Sequence, residues 1–258
     1  GWSVSSNVTA GATELVFSSD PGTALVPGGR VTNIFSVAGA QVLRPNQRFT
    51  NTASLAASDT IYGVEPGGIT DRDRTTNATV IVAVTNMNFS KVLFSTGETG
   101  TVDSVSTNVQ VGEVVTYRLD VRLPETTITN LVVTDDIPTG MAYVVGSARI
   151  DTNSFAGTLG ALTVDAPLGS PGTLAPNGSN VTVRFAGATV VTGDNAGTNN
   201  SFSLFLDTIV LNTNGVEGLA GAQTRLTNSA TLTYSGNPSN AVPSGVVVTP
   251  VIEPRVSI

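Results

Sequence analysis

Lys91 is the sole lysine in a chain of 258 residues that has no histidine and no cysteine. Counting alternate positions places Met87, Phe89, Lys91 and Leu93 on one face of an extended segment, three apolar side chains and one amine. Two more residues interrupt apolar faces in the same way. Asp135 shares its face with Leu131, Val133 and Ile137, and Asn228 shares its face with Leu226, Ala230, Leu232 and Tyr234. A long ammonium belongs in water, and burying it without a partner is costly. A sequence that avoids lysine elsewhere and turns one inward therefore points to chemistry at that amine.

An amine, a carboxyl and a carboxamide brought together in a dry core can condense. Desolvation lowers the pKa of the lysine and raises that of the acid, which favours the neutral form of both. A neutral amine is a nucleophile. A protonated Asp135 is the expected acid catalyst, polarising the Asn228 carbonyl and passing protons as ammonia leaves. The product is a Lys91–Asn228 isopeptide cross-link, made once per molecule with no cofactor. Two plainer arrangements compete with this one. In the first, Lys91 and Asp135 form a buried ion pair, Asn228 fills the leftover hydrogen bonds, and no covalent bond is made. In the second, one strand is slipped by a residue, which would turn its polar group to solvent.

The elements that must position these groups read as strands. Val114–Leu123 alternates, with Val115, Tyr117, Leu119, Val121 and Leu123 inward and Arg118, Asp120 and Arg122 outward. Met87–Phe94, Leu131–Ile137, Ala142–Ile150, Asn180–Phe185, Ser201–Leu211 and Arg225–Tyr234 are further strands. Pro138-Thr139-Gly140, Asn177-Gly178 and Asn214-Gly215 read as turns between them. No segment sustains a 3.6-residue period, so the expected fold class is an all-β sandwich.

Composition narrows the function classes. Charged residues make up 12% of the chain and the net charge is −7, so the basic footprint of a nucleic-acid or anionic-membrane binder is absent. No apolar run approaches the ~18 residues of a membrane helix. Without histidine or cysteine, the usual hydrolase constellations and zinc sites are excluded, and no disulfide can staple the fold. Asp71-Arg72-Asp73-Arg74 and Asp194-Asn195 lack the ligand count of a calcium loop and read as solvated turns. Sequons such as Asn88-Phe89-Ser90 arise by chance in so Asn/Ser/Thr-rich a chain. No metal or cofactor is expected, and a multiple-turnover enzyme is disfavoured.

One octapeptide occurs twice. Arg48-Phe49-Thr50-Asn51-Thr52-Ala53-Ser54-Leu55 returns as Arg225-Leu226-Thr227-Asn228-Ser229-Ala230-Thr231-Leu232. The separation exceeds any solenoid period and suits tandem domains of sandwich size. Each copy precedes a Val-rich strand, Ala78–Val84 or Val246–Val251. Residues 87–252 are thus expected to be one complete domain, 1–86 the C-terminal part of a preceding repeat, and 253–258 the first strand of a following one. Asn51, inward with Phe49, Ala53 and Leu55, is then the acceptor of the preceding repeat. Its lysine does not lie upstream in these residues, and the lysine of the following repeat is expected soon after Pro254. Residues 1–86 should leave an open sheet edge, a template for strand addition by a neighbouring repeat or subunit.

The stretch Val111-Gly112-Glu113-Val114-Val115-Thr116-Tyr117, followed by Leu123-Pro124-Glu125 and by Leu131-Val132-Val133-Thr134-Asp135-Asp136-Ile137-Pro138-Thr139-Gly140-Met141-Ala142-Tyr143-Val144, resembles the fimbrial isopeptide-formation second domain of pilus backbone proteins and the wider bacterial surface-repeat family. That resemblance implies an immunoglobulin-like sandwich of the collagen-adhesin A type with a Lys–Asn isopeptide bond and an acid catalyst. Lys91 and Asn228 match the bonding positions. No LPxTG-type sorting signal is present. The implied function is a structural segment of a secreted bacterial surface fibre, pilus-like filament or adhesin stalk. The alternative is an adhesin module that binds a host or cell-surface ligand through loops at a domain tip.

Overall fold

Val and Thr are abundant in this chain, and the alternation of apolar with Thr, Ser and Asn side chains fits pleated, half-buried surfaces. A computed structural model describes residues 2–9, 12–20, 30–34, 47–59, 72–84, 86–97, 107–165, 169–194, 196–216, 223–235 and 241–252. Its strands are β1 (Trp2–Thr9), β2 (Ala12–Ser19), β3 (Arg48–Asp59), β4 (Arg72–Ala83), β5 (Asn88–Thr96), β6 (Val114–Arg122), β7 (Thr127–Asp136), β8 (Met141–Tyr143), β9 (Arg149–Asp151), β10 (Gly157–Thr158), β11 (Ala161–Val164), β12 (Val181–Val191), β13 (Ser201–Val210), β14 (Arg225–Thr233) and β15 (Val242–Pro250). No helix of the described residues is long and apolar enough to cross a membrane.

The chain divides into two units, Gly1–Gly39 and Ala40–Ile258. The first holds one antiparallel hairpin, β1–β2. The second holds the hairpin β3–β4 and two larger sheets. One sheet runs β10-β12-β7-β14-β15, with β11 also paired to β12. The other runs β5-β6-β13-β8, with β9 also on β13. The strand pairs of both sheets are antiparallel. Their inner faces share one core: Tyr117 and Leu119 of β6 and Phe202 and Leu204 of β13 from one side, Val133 of β7 and Phe185 of β12 from the other. The Phe185 and Phe202 rings meet across it at 5.2 Å. Each such side chain contributes about 1.5–3 kcal/mol on burial. The expected all-β fold is what these residues form, as two antiparallel sheets packed face to face around one core.

The alternation within strands agrees with the sequence pattern. On β6, Val115, Tyr117, Leu119 and Val121 are buried, and Arg118 and Asp120 pair on the outer face. Differences arise where the backbone bends. The run Ala142–Ile150, expected as one strand, is two, because Gly146 at φ 85° turns the chain between β8 and β9 and lets both pair with β13. The strand expected at Asn180–Phe185 continues to Val191 through a bulge between Phe185 and Ala188, where Gly187 sits at φ 83°. The short strands β10 and β11 lack the alternation that marks a half-buried strand, since both are largely exposed. The strand expected at residues 253–258 lies outside the described residues.

Gly140 closes the Pro138-Thr139-Gly140 turn at φ 98°, and a Cβ there would lie 2.6 Å from Val216 Cγ2 and 3.0 Å from Leu226 Cδ2. Gly140→Ala is predicted to destabilise the domain by about 1–3 kcal/mol. Chemical denaturation should show a lower midpoint with an unchanged slope, and an unchanged midpoint would contradict the packing described for this turn.

Candidate cross-linking site

Three inward positions on three strands define the site. β5 is the edge strand of its sheet and carries Lys91 opposite Leu119 of β6, on the face shared with Phe89. β7 carries Asp135 opposite Val181 on one side and Ala230 on the other. β14 carries Asn228 two residues before Ala230, which makes Asp135 and Asn228 diagonal neighbours on one face, a spacing long side chains can bridge. Asp135 and Asn228 are 0% exposed and Lys91 is 6% exposed.

The sheets join through these groups. Lys91 Nζ donates to Asp135 Oδ1, and both side chains are wholly withdrawn from solvent. The same ammonium lies 4.6 Å from the centroid of the Tyr117 ring. The Tyr117 hydroxyl lies 3.5 Å from Thr249 Oγ1 and 3.6 Å from Met141 Sδ. Asp135 Oδ2 and both polar atoms of the Asn228 carboxamide have no hydrogen-bond partner. They account for three of the seven orphaned buried side-chain atoms among the described residues, so the unmet polarity is concentrated here. Each such atom carries a desolvation penalty of about 1–3 kcal/mol.

Burial sets the protonation. Desolvation pushes the Lys91 amine below its ordinary value, against the attraction and hydrogen bond of Asp135 and a weaker pull from Asp136. Desolvation likewise raises Asp135, against the charge and hydrogen bond of Lys91. The two shifts have opposite sign and favour passing the proton from amine to acid within the pair. The Asn228 carboxamide is near enough to Asp135 and to the Tyr117 hydroxyl to pull both pKa values down, although it reaches hydrogen-bonding geometry with neither. A buried amine with its pKa lowered and a buried carboxyl with its pKa raised thus adjoin an amide with unused hydrogen-bonding capacity.

The structure brings Lys91, Asp135 and Asn228 together and leaves Asn51 apart from them. Asn51 was expected to face inward. It is exposed on β3, because β3 pairs only with β4 and the face holding Phe49 and Leu55 is uncovered among the described residues. Tyr117 is the participant that sequence reasoning missed: its inward register was legible, but an aromatic on an inward face reads as packing. The side chains of Asp71, Arg72, Asp73 and Arg74 and the residue Asn195 lie outside what the structure describes. Asp194 accepts from the Ala196 amide at 2.9 Å and from Asn199 Nδ2 at 2.6 Å, as a solvated turn does. No group of three or more acidic side chains that could hold a metal occurs among the described residues.

No protein-family model matches this chain, and no curated protein matches it. Among solved structures it is similar to the major pilin subunit BcpA of Bacillus cereus, with 14% identity over 72% of this chain and 51% of that one and a TM-score of 0.35. It is similar also to the pilus backbone protein RrgB of Streptococcus pneumoniae, with 13% identity over 60% of this chain and 33% of that one and a TM-score of 0.38. A third is the collagen-binding domain of a Staphylococcus aureus adhesin, with 15% identity over 64% of this chain and 97% of that one and a TM-score of 0.28. The match spans about half the length of the Bacillus pilin and a third of the pneumococcal protein. Likenesses at this level concern fold, and the chemistry rests on the residues.

Burial pushes the Tyr117 hydroxyl up to about 12 from its ordinary 10.0, with Thr249 opposing the shift. The folded state therefore holds a proton that the unfolded chain releases, and stability falls as pH climbs from 10 toward 12. Tyrosinate absorbance of the native protein minus that of Tyr117→Phe is predicted to titrate with a midpoint near 12. A midpoint near 10 would contradict the buried geometry.

Proposed function

We propose that this chain is a structural segment of a secreted bacterial surface fibre, pilus-like filament or adhesin stalk, and that its complete domain locks itself with a Lys91–Asn228 isopeptide bond. One observation carries the reading: the only lysine of the chain is buried against a buried acid, beside a buried carboxamide without hydrogen bonds. An inert core would be better served by apolar residues, because a buried ion pair rarely repays its desolvation. The resemblance of residues 111–144 to fimbrial isopeptide domains points the same way.

The reaction balances within the site. The proton of the Lys91 ammonium passes to Asp135, leaving a neutral amine and a carboxylic acid. The acid, protonated on the Oδ1 that held the ammonium, turns that O–H to Asn228 Oδ1 and polarises the carbonyl, and Oδ2 is left free to accept the proton that the attacking amine loses and pass it to Nδ2. Lys91 Nζ attacks Asn228 Cγ, the Cγ–Nδ2 bond breaks, and Nδ2 leaves as ammonia carrying one proton from the amine. The charged pair becomes a neutral secondary amide plus an acid, which removes both ions and one orphaned donor from the core. Each site reacts once, so there is no turnover.

The bond ties β5, the first strand of the domain, to β14, the last but one, across the two sheets. By the chain-entropy relation for cross-links it contributes on the order of 5 kcal/mol. Under tension the larger effect is mechanical. Force entering near residue 87 and leaving near residue 252 passes through a covalent bond, so the weak ladder hydrogen bonds between those strands are not peeled one by one. In this reading residues 87–252 are one complete repeat, 1–86 belong to a preceding repeat and 253–258 to a following one. Rigid, protease-resistant spacing outside the cell is the role that fits.

The intact chain is predicted to weigh one ammonia less than its sequence. Asp135→Ala should restore the full mass and leave a folded domain that melts at lower temperature, and Asn228→Ala should also show full mass. A native chain of full sequence mass would reject the cross-link and leave the buried ion pair.

A further inference from the structure

The first five residues of the two octapeptide copies pair in the same way, after which β14–β15 shifts register at a bulge between Ser229 and Thr231 and β3–β4 runs on without one. In β14–β15 the opposed residues are Arg225 with Pro250, Leu226 with Thr249, Thr227 with Val248, Asn228 with Val247 and Ser229 with Val246. In β3–β4 they are Arg48 with Ala83, Phe49 with Val82, Thr50 with Ile81, Asn51 with Val80 and Thr52 with Thr79. Five consecutive pairs thus share one register, and Asn51 stands where Asn228 stands. The surroundings differ. β14 has β7 on its second edge and is covered on its Asn228 face by the sheet that brings Lys91. β3 has no strand on its second edge among the described residues. The face it shares with Asn51 leaves Phe49 38%, Leu55 61%, Val80 61% and Val82 62% exposed.

We infer that β3–β4 is half of a second cross-linking site, and that its occupant is the lysine- and acid-bearing half of another repeat, equivalent to β5–β13 of this chain. The inference rests on the proposed chemistry of Lys91 and Asn228. The complete domain shows what each missing part must supply. An acid-bearing strand adds to the open edge of β3 with its acid opposite Ala53, as Asp135 lies opposite Ala230. A second sheet covers the apolar face and delivers a lysine to Asn51. The occupant is not a second copy of these 258 residues, because their single lysine is engaged in its own core. It is a segment with a lysine of its own. The bond formed is between that lysine's Nζ and Asn51 Cγ; the bond broken is Cγ–Nδ2 of Asn51. Ammonia leaves with one proton from the amine, and the incoming acid relays it. A fibre built this way is sealed covalently where one segment meets the next.

The probe is a polypeptide of residues 87–216, which carries Lys91 and Asp135 but lacks β14 and β15, and its competence is checked first by its capture of a peptide of residues 223–252 with loss of one ammonia. Mixed with the full chain, it should give an adduct one ammonia lighter than the sum of the two. The adduct should vanish when the full chain carries Asn51→Ala and when the probe carries Lys91→Ala. An adduct that survives Asn51→Ala overturns the inference. So does the absence of any adduct from a probe that captures the peptide of residues 223–252, mixed with a full chain that has itself lost ammonia, and this outcome leaves the Lys91–Asn228 bond standing. A full chain that has lost no ammonia and forms no adduct overturns both.

Discussion

Two opposite charges removed from water and held between two sheets govern this domain. In a low-dielectric core neither the Lys91 ammonium nor the Asp135 carboxylate can be solvated, and their mutual attraction offsets only part of that loss. The pair has two ways to relieve the cost. It can move one proton and become neutral, or it can turn the amine into an amide. The orphaned carboxamide of Asn228 makes the second route available, because it offers an electrophilic carbon and has no hydrogen bonds to lose. The same burial that makes a permanent ion pair a poor structural choice is what the proposed cross-link would relieve.

The fold contributes position. Asp135 and Asn228 come from adjacent strands of one sheet, so their separation is fixed by ladder register, while Lys91 reaches in from the edge strand of the other. A one-residue slip of any of the three strands would turn its group to solvent, so the apolar neighbours of each residue double as its aiming device. Leu226, Ala230 and Leu232 hold Asn228, and Leu131 and Val133 hold Asp135. Tyr117 lines the space between them, its ring against the amine and its hydroxyl near the carboxamide. In the proposed reaction, preorganisation of this kind takes the place of a cofactor.

Much of this was legible in the sequence because strands have a period of two. Lys91, Asp135 and Asn228 each interrupt an apolar series, and alternation alone placed all three in the core. What was not legible depends on groups remote in sequence or on backbone bends. Asn51 sits in the same pattern as Asn228 and is nonetheless exposed, since a strand pattern records which face can be buried and not whether a second sheet arrives to bury it. The break between β8 and β9 follows from Gly146, whose positive φ the flanking apolar run conceals. The hydroxyl of Tyr117 gains meaning only from Met141, Thr249 and Asn228, which tertiary folding brings to it.

Trypsin digestion of the unfolded chain tests the central claim most directly, because the reacting lysine is also the only lysine at which trypsin can cut. If Lys91 is bonded to Asn228, there is no cleavage after residue 91. Fragment-ion sequencing should then find one branched peptide joining residues 75–118 to residues 226–255. Cleavage after Lys91, with Asn228 recovered in a linear peptide of residues 226–255, would contradict the account.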